Sequence, residues 1–243
     1  MPTFRHGKNT IVLLDGYDAS SYFNESTTSR SIETSETTSF GSSAKTYIAG
    51  LKDGTLSLSG MFDGSTNAID SIFNSIAGSA TDSIVTVGLE GSTIGTIAHM
   101  VGVQETSYEV TSPVADVVTV SAEFQADGGL DSGRVLAPAT VVTTATTTNN
   151  TSVDNAAATT NGGVGHVHVT ANANNGTTTI KVQHSTDNST WVDLITFSTI
   201  ATTVTAARRV EVAAGTTVNR YLRAQITTAG TGSITTSVAF ARR

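Results

Sequence analysis

The run Gly50 to Gly64, GLKDGTLSLSGMFDG, alternates apolar and hydroxyl side chains. Leu56, Leu58 and Phe62 share one side of a two-residue period with Gly60, while Thr55, Ser57, Ser59 and Met61 share the other, the pattern of a half-buried strand. Asp53-Gly54 and Asp63-Gly64 bracket it as turns, because glycine accepts positive φ and aspartate bonds its own downstream backbone. NTIVLLDG (9–16) predicts an earlier strand ending in a third Asp-Gly turn, and SIVTVGL, TIGTIAHMVGVQ and VVTVSAEFQA predict later ones. In the last of these, Val118, Val120, Ala122 and Phe124 share a face. Between them, GSTNAIDSIFNSIAG places Ile69, Ile72, Phe73 and Ile76 at helical spacing, so one helix should pack this stripe on a sheet. Ser65, Thr66 or Asn67 is expected to cap its start, with Gly78 in the left-handed position past its end.

Two stretches lack such periodicity. Ser21 to Gly50 is long and polar with few apolar anchors, and predicts a loop that a partner orders. Ala137 to Gly163, rich in Thr, Asn and Ala, predicts a flexible linker with a short strand at Val141 and Val142. After it come six strand candidates separated by Gly, Asn, Thr and Ser turns: GHVHVTA, TTIKVQHS, WVDLITF, RRVEVAA, NRYLRAQIT and SITTSVAFA. They predict a small β-sandwich with Trp191 anchoring its core, able to fold alone. The expected division is therefore 1–137, a linker over 138–163, and 164–243, in a mainly β chain with one packed helix.

Charge sharpens this division. Residues 1–140 carry 16 acidic against 6 basic side chains, and residues 141–243 carry 4 against 7. The acidic part is unsuited to gripping nucleic acid by its phosphates. The basic part draws its charge from Lys181, Arg208, Arg209, Arg220, Arg223, Arg242 and Arg243, expected as solvated charges on strand faces. With 243 residues and no cysteine, the fold must rest on its apolar cores rather than on disulfides or thiolate metal sites. No run resembles a membrane-spanning helix or the apolar core of a signal peptide, so a protein made and used in a cytoplasm, or in a particle assembled there, is expected.

Candidate chemistry is sparse. His166 and His168 point to one face of a strand, but two imidazoles without a nearby third ligand do not make a metal site, and a solvated strand face is the expectation. His99 lies in an apolar run, where a satisfied or interfacial histidine is expected. Asp53 and Asp63 do not fit an EF-hand, whose other ligand positions here hold Thr, Ser and Gly. Glu25, Glu33 and Glu36 sit in a Ser/Thr-rich stretch with no walled pocket to separate their pKa values. No nucleophile elbow, phosphate loop or dinucleotide motif occurs, so neither an enzymatic activity nor a cofactor is expected.

The order of these elements carries a resemblance. A strand, a long polar stretch ending in SFGSSAKTYIAGLKDGTLSLSGMFDG, an amphipathic helix, and strands closing on SPVADVVTVSAEFQADGG resemble the major tail protein that forms the tail tube of long-tailed bacteriophages. The resemblance covers about residues 5 to 135, and residues 164–243 are similar to the C-terminal immunoglobulin-like module that some of these proteins display. It implies a tail-tube-type β-barrel or sandwich followed by a small β-sandwich. It also implies stacked six-membered rings in a virion tail, contact with other tail proteins, and double-stranded DNA passing an acidic lumen without specific binding. The polar stretch would then dock on the next ring through Glu25, Arg30, Glu33, Glu36, Phe40 and Lys45, and the C-terminal module would make at most weak contact with a host surface. The competing expectations are a capsid decoration protein and a sugar-binding adhesin using Trp191 or Tyr221.

Overall fold

The computed structural model describes residues 4–143 and 146–243. The chain is organised as two compact units. One comprises Tyr22–Ser83 and Val101–Leu130; the other comprises the chain up to Ser21, Ile84–Met100 and Asp131–Arg243.

In the first unit, β3 (Phe23–Glu36) and β4 (Tyr47–Met61) pair antiparallel from Phe23↔Gly60 to Glu36↔Tyr47. The far side of β4 pairs with β7 (Thr119–Thr143), but only from Thr55↔Gln125 to Met61↔Thr119. β4 is thus a central strand over its second half, and its first half pairs with β3 alone. Leu56 and Leu58 are fully buried, as the alternation requires, and Gly60 belongs to their row because a Cβ there would meet the Tyr22 carbonyl oxygen at 2.0 Å. Phe62 falls past the end of β4 and is 36% exposed, so the row stops one step short of the expected one.

Helix α1 (Ile69–Ile76) forms where the apolar stripe places it. Ile69, Ile72 and Phe73 are buried and Ile76 is half-buried. The Phe73 ring is the hub, with centroids at 5.0 Å from Tyr108, 5.8 Å from Phe124 and 6.1 Å from Phe23. Gly78 takes φ +68°, as its position past the helix demands. The start differs from expectation: Ala68 occupies the cap position and no side chain caps the helix. The expected capping residues are spent on a preceding turn, in which Asp63 Oδ1 accepts the Ser65 amide at 2.9 Å and Ser65 O accepts the Ala68 amide.

The second unit contains two sheets. One has the strand order β13 (Ala206–Val212), β10 (Gly163–Asn172), β15 (Ser233–Arg242), β7, β6 (Ile97–Thr111), β5 (Ser83–Gly88), β1 (Ile11–Leu14) and β2 (Tyr17–Asp18), β6 and β7 contributing the parts assigned to this unit. The other has β12 (Val192–Thr196), β11 (Thr178–Ser185), β14 (Tyr221–Thr228) and β8 (Thr147–Asn149), with β9 (Val153–Asp154) also on β14. Asp15-Gly16 makes the β1–β2 turn with φ +47° and +86°, the geometry of a two-residue hairpin, with Leu14 opposite Tyr17. All six C-terminal strand candidates form. Their shared core includes Val167, Ile180, Val182, Ile195, Phe197, Leu222, Ile226, Val238 and Phe240.

The division of the chain differs from 1–137, 138–163 and 164–243. β7 runs unbroken through the expected boundary, pairing with β15 from Arg134↔Phe240 to Thr143↔Ser233, and Leu136 and Ala137 lie in the same core as Phe240. The expected linker is ordered by backbone pairing that its composition does not advertise. Thr147–Asn149 pair with Gln225–Thr227, Val153 with Leu222, and Thr159 with Val218. β10 and β15 also have two packed faces. Val167 and Phe240 enter the core shared by the two sheets, while Val164, Ala239 and Ala241 form a second small cluster with Ala98, Met100 and Val135. Strands supplied by the N-terminal part of the chain therefore build one unit with the C-terminal strands.

Candidate functional site: the β3–β4 ribbon

Residues 21–50 are not a loop. The polar stretch is the first arm and tip of a long antiparallel ribbon, rich in hydroxyl side chains, whose register β4 matches residue for residue from Ser26↔Leu58 to Ile32↔Lys52. A bulge between Ile32 and Thr34 shifts the pairing, which resumes as Thr34↔Ala49 and ends at Glu36↔Tyr47. Asp53-Gly54 accordingly lies inside β4 rather than at a turn. The Asp53 carboxylate instead accepts the Gly54 amide at 2.7 Å and a bond from the Gln125 amide.

Every residue from Ser29 to Asp53 is exposed, so within its own unit the ribbon is covered on neither face. It nevertheless carries apolar side chains: Ile32 is 49% exposed, Tyr47 54%, Ile48 58% and Leu51 75%, and Phe40 at the tip is fully exposed. The tip is tied by local bonds. The Thr37 amide donates to Thr46 O at 2.8 Å, the Thr46 amide donates to Thr38 Oγ1, and Lys45 Nζ donates to Glu36 Oε2 at 2.9 Å. The Lys45 ammonium, with the Thr38 hydroxyl, holds the Glu36 carboxyl below the usual carboxylate range.

Of the six residues expected to act in assembly, the structure brings together Glu36 and Lys45 as an ion pair. Glu25, Arg30 and Glu33 are spaced along β3, and Phe40 stands at the tip. Ile32, Tyr47, Ile48 and Leu51, the exposed apolar residues of the ribbon, are masked in the sequence by the Ser- and Thr-rich composition around them. The signal is present in TYIAGL, where Tyr47, Ala49 and Leu51 alternate with Ile48 and Gly50.

The remaining candidates behave differently from expectation. His166 and His168 are fully buried rather than solvated, since β10 is packed on both faces. Thr86 Oγ1 on β5 lies 3.1 Å from His166 Nδ1 and 2.9 Å from His168 Nε2, so one hydroxyl donates to one ring and accepts from the other. Burial pushes the His166 imidazole well below its ordinary range, assisted by the charges of His168 and Arg209. Burial alone takes His168 down to about 3. Both rings are therefore neutral structural groups. Among the described residues no three His, Asp or Glu side chains converge as a metal site.

Trp191 is half-buried rather than a core anchor, with the Arg223 guanidinium 4.2 Å from its ring centroid. The core position expected for it is filled by Ile195, Phe197 and Phe240. The basic residues are largely engaged as well. Arg220 makes a two-bond fork to Asp154, Arg243 makes one to Asp131, Arg209 pairs with Glu211 at 2.7 Å, and Lys181 pairs with Asp193 at 2.7 Å.

No protein-family model and no curated protein matches the chain. Among solved structures, a chain of the virion of a native gene transfer agent particle is similar at 17% identity with a TM-score of 0.45, covering 52% of this chain and 97% of that one. A chain of the tail of an empty gene transfer agent particle, refined with C6 symmetry, gives the same values. The SPP1 Dit protein, described as a hub adsorption apparatus in phages infecting Gram-positive hosts, is similar at 15% identity with a TM-score of 0.37, covering 96% of this chain and 98% of that one.

Proposed function

We propose that this chain is a structural virion protein of a long-tailed bacteriophage that self-assembles as stacked six-membered rings into the tail tube. The observation that carries this reading is the β3–β4 ribbon. An exposed two-stranded hairpin of this length is marginal in water unless a further surface covers it, and Ile32, Phe40, Tyr47, Ile48 and Leu51 give a neighbouring copy something to bury. The free edge of β3 offers unpaired backbone groups to a partner strand, and a head-to-tail contact that closes by rotation produces a ring. The element order that resembles tail tube proteins supplies the direction of the reading.

Charge supports the accompanying role as a DNA conduit. The ribbon unit carries 12 acidic against 3 basic side chains, while the other unit carries 8 against 10. Acidic walls repel phosphates and let a duplex slide without sticking. In this reading the ribbon unit forms the inter-ring contact and faces other tail proteins at the tube ends. The experiment is a concentration series by light scattering. Growth of mass from monomer through rings to rods supports the proposal. A fixed trimer, or a monomer at all concentrations, overturns it and is the behaviour expected of a decoration protein.

A further inference from the structure

The second unit holds a cavity of about 270 Å³ lined by Ile97, Ser132, Arg134, Asn155, Phe240 and Arg242. Its chemistry is lopsided. Two arginines, Arg134 and Arg242, line it, and no carboxylate of the described residues lines it or pairs with either. The neighbouring carboxylates are already committed, Asp131 to Arg243 and Asp154 to Arg220, each by two bonds. Both arginines are held in place by neutral backbone carbonyls instead. Arg134 Nη1 donates to Gly95 O at 2.8 Å, while Arg242 donates from Nη1 to Asn155 O at 3.3 Å and from Nη2 to Ala157 O at 2.6 Å. A guanidinium has five N–H donors, so each retains unused ones. Arg242 Nε is buried without a partner.

Carbonyl oxygens orient a guanidinium without neutralising it, and two like charges sharing one cavity repel each other. Two guanidinium groups with spare donors, Arg242 held by two carbonyls and Arg134 by one, a hydroxyl at Ser132 and room for a small ion match an oxyanion, the group to which arginine binds through paired N–H bonds. We propose that this cavity is an oxyanion site that takes a phosphate group, Arg134 and Arg242 binding its oxygens and Ser132 contributing a hydroxyl. The group could be free phosphate or the phosphodiester of a larger molecule, and the two differ in charge and in the number of free oxygens.

The test is a titration of the full chain, held below the concentration at which light scattering detects assembly and followed by amide NMR, using inorganic phosphate and dimethyl phosphate against chloride at matched ionic strength. Saturable shifts centred on Ser132–Arg134 and Asn155–Ala157 are expected with at least one probe. Tighter binding of inorganic phosphate identifies a free ion or monoester, and comparable binding of dimethyl phosphate identifies a diester. Arg134→Gln, an exposed position, should weaken the binding by about ten-fold or more, and Arg208→Gln, outside the cavity, should leave it unchanged. No saturable shift with either probe overturns the proposal. So does equal weakening by the two variants, which would mean diffuse charge attraction, or unaltered binding by Arg134→Gln.

Discussion

Lys45 Nζ lies 2.9 Å from Glu36 Oε2 just beyond the last rung of the β3–β4 ribbon, Glu36↔Tyr47, so the two sides of the tip are joined by a side-chain contact in a stretch that composition alone marks as unstructured. Both partners are exposed, and such a pair contributes direction more than stability. The single chain already pairs the two arms in one register, and a partner that buries the exposed apolar side chains would stabilise that pairing further. Hydrogen exchange on the unassembled chain should show protection at the paired amides of β3 through Glu36, and fast exchange at the tip from Thr38 to Ala44. Coil-rate exchange throughout residues 24–52 would mean that the ribbon forms only on assembly.

Stability should fall in mild acid because of the two histidines on β10. An unfolded imidazole has a pKa near 6.5, and burial depresses both in the folded protein. The unfolded chain therefore binds more protons below that value, so stability is full above about pH 6.5 and is lost as pH falls toward the folded value of about 3 for His168. At pH 4.5 this one residue should cost about 2–3 kcal/mol. Melting curves of wild type between pH 7 and 4.5, compared with a His166→Gln, His168→Gln variant, measure it. The variant should have the flatter pH profile, and parallel profiles would assign the acid sensitivity elsewhere.

Phe197, not Trp191, should anchor the C-terminal core. Phe197 is 1% exposed among Ile180, Val182 and Ile195, and Phe197→Ala should cost about 3–5 kcal/mol. Trp191→Ala loses a half-buried ring and its contact with Arg223, about 1 kcal/mol by the cation–π component. Urea denaturation of the two variants checks the order. A larger loss at Trp191 would restore it as the anchor.

The strands of both units were legible in the sequence wherever one face of a strand is wet, as in Leu56 and Leu58 against Ser57 and Ser59. Helix α1 was legible for the corresponding reason at helical period. β10 was legible as a strand but not for its burial, because a strand covered on both faces has no polar side to betray it, and its histidines read as surface groups. The ribbon and residues 146–163 were illegible for the opposite reason. Their order comes from backbone pairing rather than from buried side chains, across a local hairpin for Glu36 with Tyr47 and over a long stretch of chain for Thr148 with Ile226. Of the assembly residues, the charged ones could be named from sequence, but their pairing could not.

A chain ending after Pro138 should fail to fold cleanly. It would lack β10 and β15, leaving Val135, Leu136, Ala98 and Met100 without Val164, Ala239, Ala241 and Phe240. This differs from the expectation that the C-terminal strands form a separable module. Near-ultraviolet circular dichroism and solubility of residues 1–138 decide the matter. A cooperative melt of a soluble fragment would re-establish the boundary.

Electron microscopy of the purified full-length chain, beside a variant in which residues 33–51 are replaced by an Asn-Gly turn joining the paired Ile32 and Lys52, tests assembly through the ribbon most directly. The variant should keep its fold, with stability within about 1 kcal/mol of wild type, since the removed segment is exposed throughout. Six-fold rings and tubes are expected from the wild type, and folded monomers or isolated rings that never stack from the variant. Tubes from both chains, or rings and tubes from neither, would contradict assembly through the ribbon.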